Sequence, residues 1–172
     1  MSTEAWLSGP IQGIPALLMP VAHSLVQTKH DLRAVASGLT DAELWQSPGG
    51  AASIGFHLRH IAGSADRLLT YAQGHALSAG QLAALKVEQD TGEPRPGAGQ
   101  LLDDIDTVIG RVLAEVRSTP DDQLSALRHV GRARIPSTTI GLLFHIAEHT
   151  QRHVGQVIAT EKILRGTAAA EA

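Results

Sequence analysis

Residues 142–157 read LLFHIAEHTQRHVGQV. Leu142, Ile146 and Val157 recur at helical spacing and share a seam with Leu164, which predicts one long amphipathic helix. Pro136-Ser137-Thr138 opens it, and it ends near Gly166. Three histidines ride on this helix at four-residue steps: His145, His149 and His153. Side chains four apart stand one turn above each other, with Cβ atoms about 5–6 Å apart, so the three form a ridge. His149 and His153 fall where the apolar seam is expected to continue.

Three further seams lie upstream. Leu101, Ile105, Val108, Val112 and Val116 mark a helix over 100–118, stopped by Pro120. Ile54, Leu58, Ile61, Ala65, Leu68 and Ala72 alternate steps of four and three, one buried face of a helix over 53–73 with Ser53 as its N-cap. Val21, Leu25, Leu32, Val35 and Leu39 give a helix over 20–38. In the connections, Thr40 and Glu43 form a capping box before the break at 47–50, and a short helix fits 81–88 inside the polar stretch 74–99. No segment alternates with period two. The pattern predicts an all-α fold, a four-helix bundle with short extra helices in the connections. It forms a single domain over 1–172, with an irregular lead-in at 1–19 and a frayed Ala-rich tail at 167–172.

Composition agrees with helices and narrows the chemistry. The 172 residues are 43% apolar with only two Trp, two Phe and one Tyr, so aliphatic side chains carry the packing. There is no cysteine, which excludes disulfides, thiolate-held metal and a thiol nucleophile from the chain itself. A net charge of −3 leaves no nucleic-acid footprint, and no apolar run is long enough for a membrane span. A cytoplasmic protein is the expectation. Nine histidines are the compositional oddity, and five of them fall in two short stretches.

One histidine on a buried face is ordinarily a satisfied core residue. Two stacked on one face are harder to satisfy, because each neutral ring needs both a donor and an acceptor, and an unpaired one costs about 1–3 kcal/mol. A divalent cation removes the difficulty, since imidazole nitrogen ligates zinc, nickel, iron and copper. A pair at i, i+4 fills only two positions, so a third ligand must come from another helix. SIGFHLRHIA at 53–62 supplies two candidates: His57 lies nearer the buried stripe, and His60 lies on its flank, where it can point between neighbouring helices.

With these motifs the chain resembles the DinB/YfiT-like superfamily. Its marks are a Ser-Ile opening to the second helix with a histidine six residues past the Ile, and a late His-x-x-x-His followed by Gly-Gln. Here they are Ser53-Ile54 with His60, and His149 and His153 with Gly155-Gln156. The similarity runs from about Val21 to Arg165. The resemblance implies a four-helix bundle, commonly a homodimer, holding a divalent transition metal on His60, His149 and His153 with one position open. Zinc or nickel are the expected ions, with iron or manganese as alternatives. His57 and His145 exceed the minimal pattern and are candidates for pocket-lining or general-base roles. The resemblance further implies thiol-dependent transfer or isomerisation of a small-molecule substrate, a low-molecular-weight thiol being the co-substrate, or else metal-assisted hydrolysis. The alternative is a non-catalytic, metal-stabilised or ligand-sensing dimer.

Other readings compete. His145-Ile-Ala-Glu148-His149 matches the His-x-x-Glu-His of inverted zinc peptidases, but only Glu161 and Glu171 follow to complete such a site. No glutamate stands three residues before a histidine, so a di-iron bundle fails. Arg128, Arg132 and Arg134 form a basic patch that reads as a solvated loop or as a carboxylate-binding rim at the mouth of the site. Gly155, inside a helix beside His153, would be explained by close approach of a neighbouring helix.

Overall fold

The computed structural model describes residues 3–90 and 92–170. Helix α1 spans Met19–Ala36 and buries Val21, Ala22, Leu25, Thr28, Leu32 and Ala36, the expected stripe of threes and fours. The lead-in before it is irregular apart from single 3-10 turns at Ala5–Ser8 and Ala16–Leu18. Helix α2, Asp41–Trp45, is held by the anticipated capping box: Thr40 Oγ1 accepts from the Glu43 N–H while the Glu43 carboxylate accepts from the Thr40 N–H.

Helix α3, Ile54–Ala72, starts at Ser53, whose Oγ accepts from the Phe56 N–H at 3.2 Å. Gly55 in its first turn has a physical cause. A Cβ there would lie 2.7 Å from the Trp45 ring, so only glycine lets that indole pack across the start of α3. Helix α4, Ala79–Lys86, is the short helix expected at 81–88, begun two residues earlier by a second capping box of Ser78 and Gln81. Helix α5 covers Ala98–Ser118.

The connection to the last helix departs from expectation. Strands β1, Leu127–Val130, and β2, Ile135–Thr138, form an antiparallel hairpin with His129 opposite Pro136. Pro136 and Ser137 therefore belong to a strand, and helix α6 begins only at Thr139. A two-stranded ribbon tolerates Pro136 because a proline without an N–H can sit at a sheet edge. Helix α6 continues past Gly166 to Ala170. Met1, Ser2, Thr91 and the final two residues of the anticipated frayed tail lie outside the described residues.

Helices α1, α3, α5 and α6 make the four-helix bundle. Helix α3 packs against both α5 and α6, and α1 closes the other side against α6 and α5. Leu25, Leu32, Leu58, Ile61, Ile105, Ile109, Leu143 and Ile146 are wholly or almost wholly buried in the core, each worth about 1.5–3 kcal/mol of burial. Because α6 faces two partners, its buried band is wide, including Leu143, Ala147, Thr150, Val154 and Val157. His149 and His153 lie on the α3-facing side of this band and are partly buried. Among the described residues no helix is long and apolar enough to cross a membrane.

Candidate metal centre

The first half of α3 and the middle of α6 bring four imidazoles together. His60 Nε2 lies 3.0 Å from His149 Nε2. The His153 ring centroid is 4.6 Å from that of His60 and 4.6 Å from that of His149. One ring nitrogen from each of these three falls within 4.8 Å of the others, and no carboxylate or further histidine joins that set among the described residues. Nitrogens bound at 2.0–2.1 Å in a tetrahedron stand about 3.3 Å apart, so three nitrogens within 4.8 Å of one another need only small side-chain adjustments to close on a small cation.

His57 is buried and contacts the cluster through His153, Nδ1 to Nδ1 at 3.0 Å. It therefore lies beside the three-nitrogen set and not within it. The helical wheel correctly ranks His57 as the more buried of the two. His60, on the flank, reaches the gap between α3 and α6, as the resemblance requires.

Burial and neighbouring imidazoles set the charge state. Burial first, then the positive charges that His60, His149 and His57 would carry, pushes His153 down to about 4. Burial, followed by the same kind of repulsion from His60 and His145, lowers His149, and burial with His60 lowers His57. At neutral pH these rings are uncharged and keep a lone pair for an electrophile.

A carboxylate absent from the sequence-level site completes it. Glu88, only 8% exposed, receives His60 Nδ1 at 3.1 Å on Oε2 and Arg67 Nη2 at 2.9 Å on Oε1. Burial works to raise its pKa, but the hydrogen bonds from His60 and Arg67 and their charges outweigh it and hold the carboxyl below its ordinary range. An ionised carboxylate can only accept, so the His60 proton sits on Nδ1 and the Nε2 lone pair faces His149. Gly63 makes the arrangement possible, since a Cβ there would stand 2.6 Å from Glu88 Oε1. Gly155, by contrast, has nothing within 4 Å of where a Cβ would be, so no neighbouring helix explains it.

His145 stands at the rim, 5.4 Å from the His149 ring centroid, with its Nδ1 2.6 Å from Glu148. Glu148 also accepts from Arg152, so it faces His145 and solvent and not the cluster, unlike a peptidase glutamate. The basic patch is elsewhere. Arg128 Nε donates to Ala72 O at the far end of α3, twelve residues and about 18 Å of helix from His60. It does not form the mouth of the histidine site.

Residues 24–157 match the family model of the DinB superfamily. Among solved structures, a conserved protein from Enterococcus faecalis superposes with a TM-score of 0.67 at 17% identity, covering 87% of this chain and 97% of that one. YfiT from Bacillus subtilis, described as a probable metal-dependent hydrolase with an unusual four-helix bundle topology, gives 0.64 at 15% identity over 91% and 93%. A DinB-like protein from Bacillus cereus gives 0.60 at 16% identity over 84% and 90%. No curated protein sequence matches the chain.

Proposed function

The chain belongs to the DinB superfamily, and from that premise we propose that it is a metal-dependent enzyme holding one divalent transition metal on His60, His149 and His153. The observation that carries the reading is the convergence of three imidazole nitrogens within 4.8 Å, with no fourth side chain in the set. Structural zinc sites are closed by four protein ligands, whereas catalytic ones keep a position for water or substrate. Three ligands therefore favour an enzyme over a metal-stabilised scaffold. An all-imidazole set suits zinc or nickel, with iron or manganese as alternatives.

Such an ion supplies Lewis-acid chemistry, lowering the pKa of a water or thiol beside it or polarising a carbonyl. The chain's own residues arrange the rest. Glu88 accepts the Nδ1 proton of His60 and keeps that ring's Nε2 free. His57 does the same for His153 by accepting its Nδ1 proton, and it is a positioning residue and not a ligand. His145, fixed by Glu148 beside His149, is the group placed to take up a proton released at the open position.

Two chemistries fit, thiol-dependent transfer and hydrolysis. Transfer leads, because a chain without cysteine must take its thiol from a small co-substrate, and a thiol lying at the open position needs no other nucleophile. The description of YfiT supports the hydrolytic version. We read the protein as a cytoplasmic homodimer acting on a small molecule. Trp6, Leu17 and Phe144, each about 60% exposed, offer apolar surface for such a contact. The test assays metal-loaded protein on esters, amides and alkylating electrophiles, with and without added thiol. Turnover that needs thiol supports transfer, and turnover without thiol supports hydrolysis. Inactivity in every arm supports the non-catalytic, ligand-sensing dimer.

A further inference from the structure

At the end of α3 remote from the histidines, the hairpin and the 74–77 connection enclose a cavity of about 480 Å³. Arg128, Arg132 and Arg134 line it with His75 and His129, over an apolar wall that includes Tyr71 and Leu82, and among the described residues no carboxylate side chain lines it. Of the eight arginines elsewhere, six (Arg33, Arg67, Arg95, Arg111, Arg152 and Arg165) pair with a carboxylate, and Arg59 donates to the Asp90 backbone carbonyl. Those of the hairpin contact no carboxylate among the described residues, on a chain whose net charge is −3. Concentrated, uncompensated cationic charge in a concavity attracts anions.

Two of the guanidiniums are already ordered. Arg128 donates to Ala72 O at 2.6 Å and to Leu127 O at 3.0 Å, which fixes it against the end of α3. Arg134 Nη2 lies 3.2 Å from His129 Nδ1, and its backbone is held at φ 49°, a left-handed conformation that residues with a Cβ rarely adopt. Arg132, beside it in the turn, is exposed. Arg128 thus meets a ligand with its side chain already fixed, while Arg132 gives up side-chain freedom on binding.

We propose that this cavity binds a small organic oxyanion, a carboxylate or phosphate monoester carried on an apolar body. Its volume lies within the usual range for small-molecule sites, and guanidinium pairs match carboxylate and phosphate oxygens. At about 18 Å from His60 along α3, the ligand shares no reacting atoms with the histidine cluster. The site stands whether or not those histidines hold metal.

The experiment titrates the full chain with 3-phenylpropionate, phenyl phosphate, neutral 3-phenylpropanol and inorganic phosphate, reading backbone amide shifts by NMR. Either or both organic anions move amides at 74–77 and 127–135 and saturate. The neutral alcohol and inorganic phosphate bind at least tenfold more weakly. The double variant Arg132→Gln with Arg134→Gln weakens the anions at least tenfold. Arg132→Gln alone, which removes no hydrogen bond given by the structure, weakens them at least threefold and guards against a fold defect in the double variant. Equal binding of the alcohol, unchanged affinity in the single variant, or shifts gathered around His149 overturn the proposal. Inorganic phosphate binding as tightly as phenyl phosphate overturns the apolar part of the ligand class.

Discussion

Oε2 of Glu88 lies 3.1 Å from Nδ1 of His60, so a residue in the connection after α4 determines which nitrogen of a helix-α3 histidine faces the cluster. Outer carboxylates of this kind ordinarily contribute about 10–100-fold to metal affinity. Glu88→Ala is expected to weaken metal binding by that factor. It also leaves Arg67 without its carboxylate, lowering stability by about 1–3 kcal/mol. Glu88→Gln, whose amide oxygen still accepts from His60, loses less affinity. Competition titration with a chelator of known affinity measures both, and wild-type affinity in the alanine variant would dissociate Glu88 from the site.

Acid exposes the depressed histidines. His153 titrates at about 4 in the folded chain against about 6.5 when unfolded, so below 6.5 the unfolded chain binds the extra proton first. The stability from keeping this ring neutral is complete above about 6.5 and is lost as pH falls toward 4, with His57 and His149 adding in the same direction. In metal-free protein the His153 ring resonance should titrate near 4. A midpoint near 6.5 would mean the ring is neither desolvated nor crowded by its neighbours.

His145 should matter for turnover and not for loading. Its Nδ1 is engaged by Glu148, and it lies outside the three-nitrogen set. His145→Ala is expected to keep full metal and lose about 10²–10⁴-fold in rate, the usual contribution of a general acid–base group. Loss of metal in this variant would make His145 a ligand, and an unchanged rate would remove it from the chemistry.

The exposed apolar side chains should be covered in solution. Light scattering should give about twice the 18.1 kDa chain mass, and Phe144→Glu should shift the population toward monomer. A wild-type monomer at micromolar concentration would count against the dimer.

Much of this was legible in the sequence, for identifiable reasons. Helices α3 and α5 announce themselves because Ile54 to Ala72 and Leu101 to Val116 each serve one buried face, and Ser53 marks a start. The four-residue strands of the hairpin do not, since an Arg-rich turn with Pro136 in one strand carries no period-two signal. His149 and His153 are legible from their four-residue spacing, whereas α6 packs on two helices at once and buries a band wider than the single stripe read from sequence. Glu88 was invisible for a different reason. A glutamate in a polar connection reads as solvated, and only the fold brings it against Arg67 and His60, which lie 21 and 28 residues away.

The three-histidine centre itself is tested most directly by metal content per chain, measured by elemental analysis on protein purified without a histidine tag. Wild type should carry about one divalent transition metal per chain. His60→Ala, His149→Ala and His153→Ala should each lose most of it, because a site deprived of one of three protein ligands loses its geometry. His57→Ala, which removes only a partner of His153, should retain metal at reduced affinity. Full occupancy in His60→Ala together with loss in His57→Ala would contradict the ligand set proposed here, and full occupancy in all four variants would place any metal elsewhere.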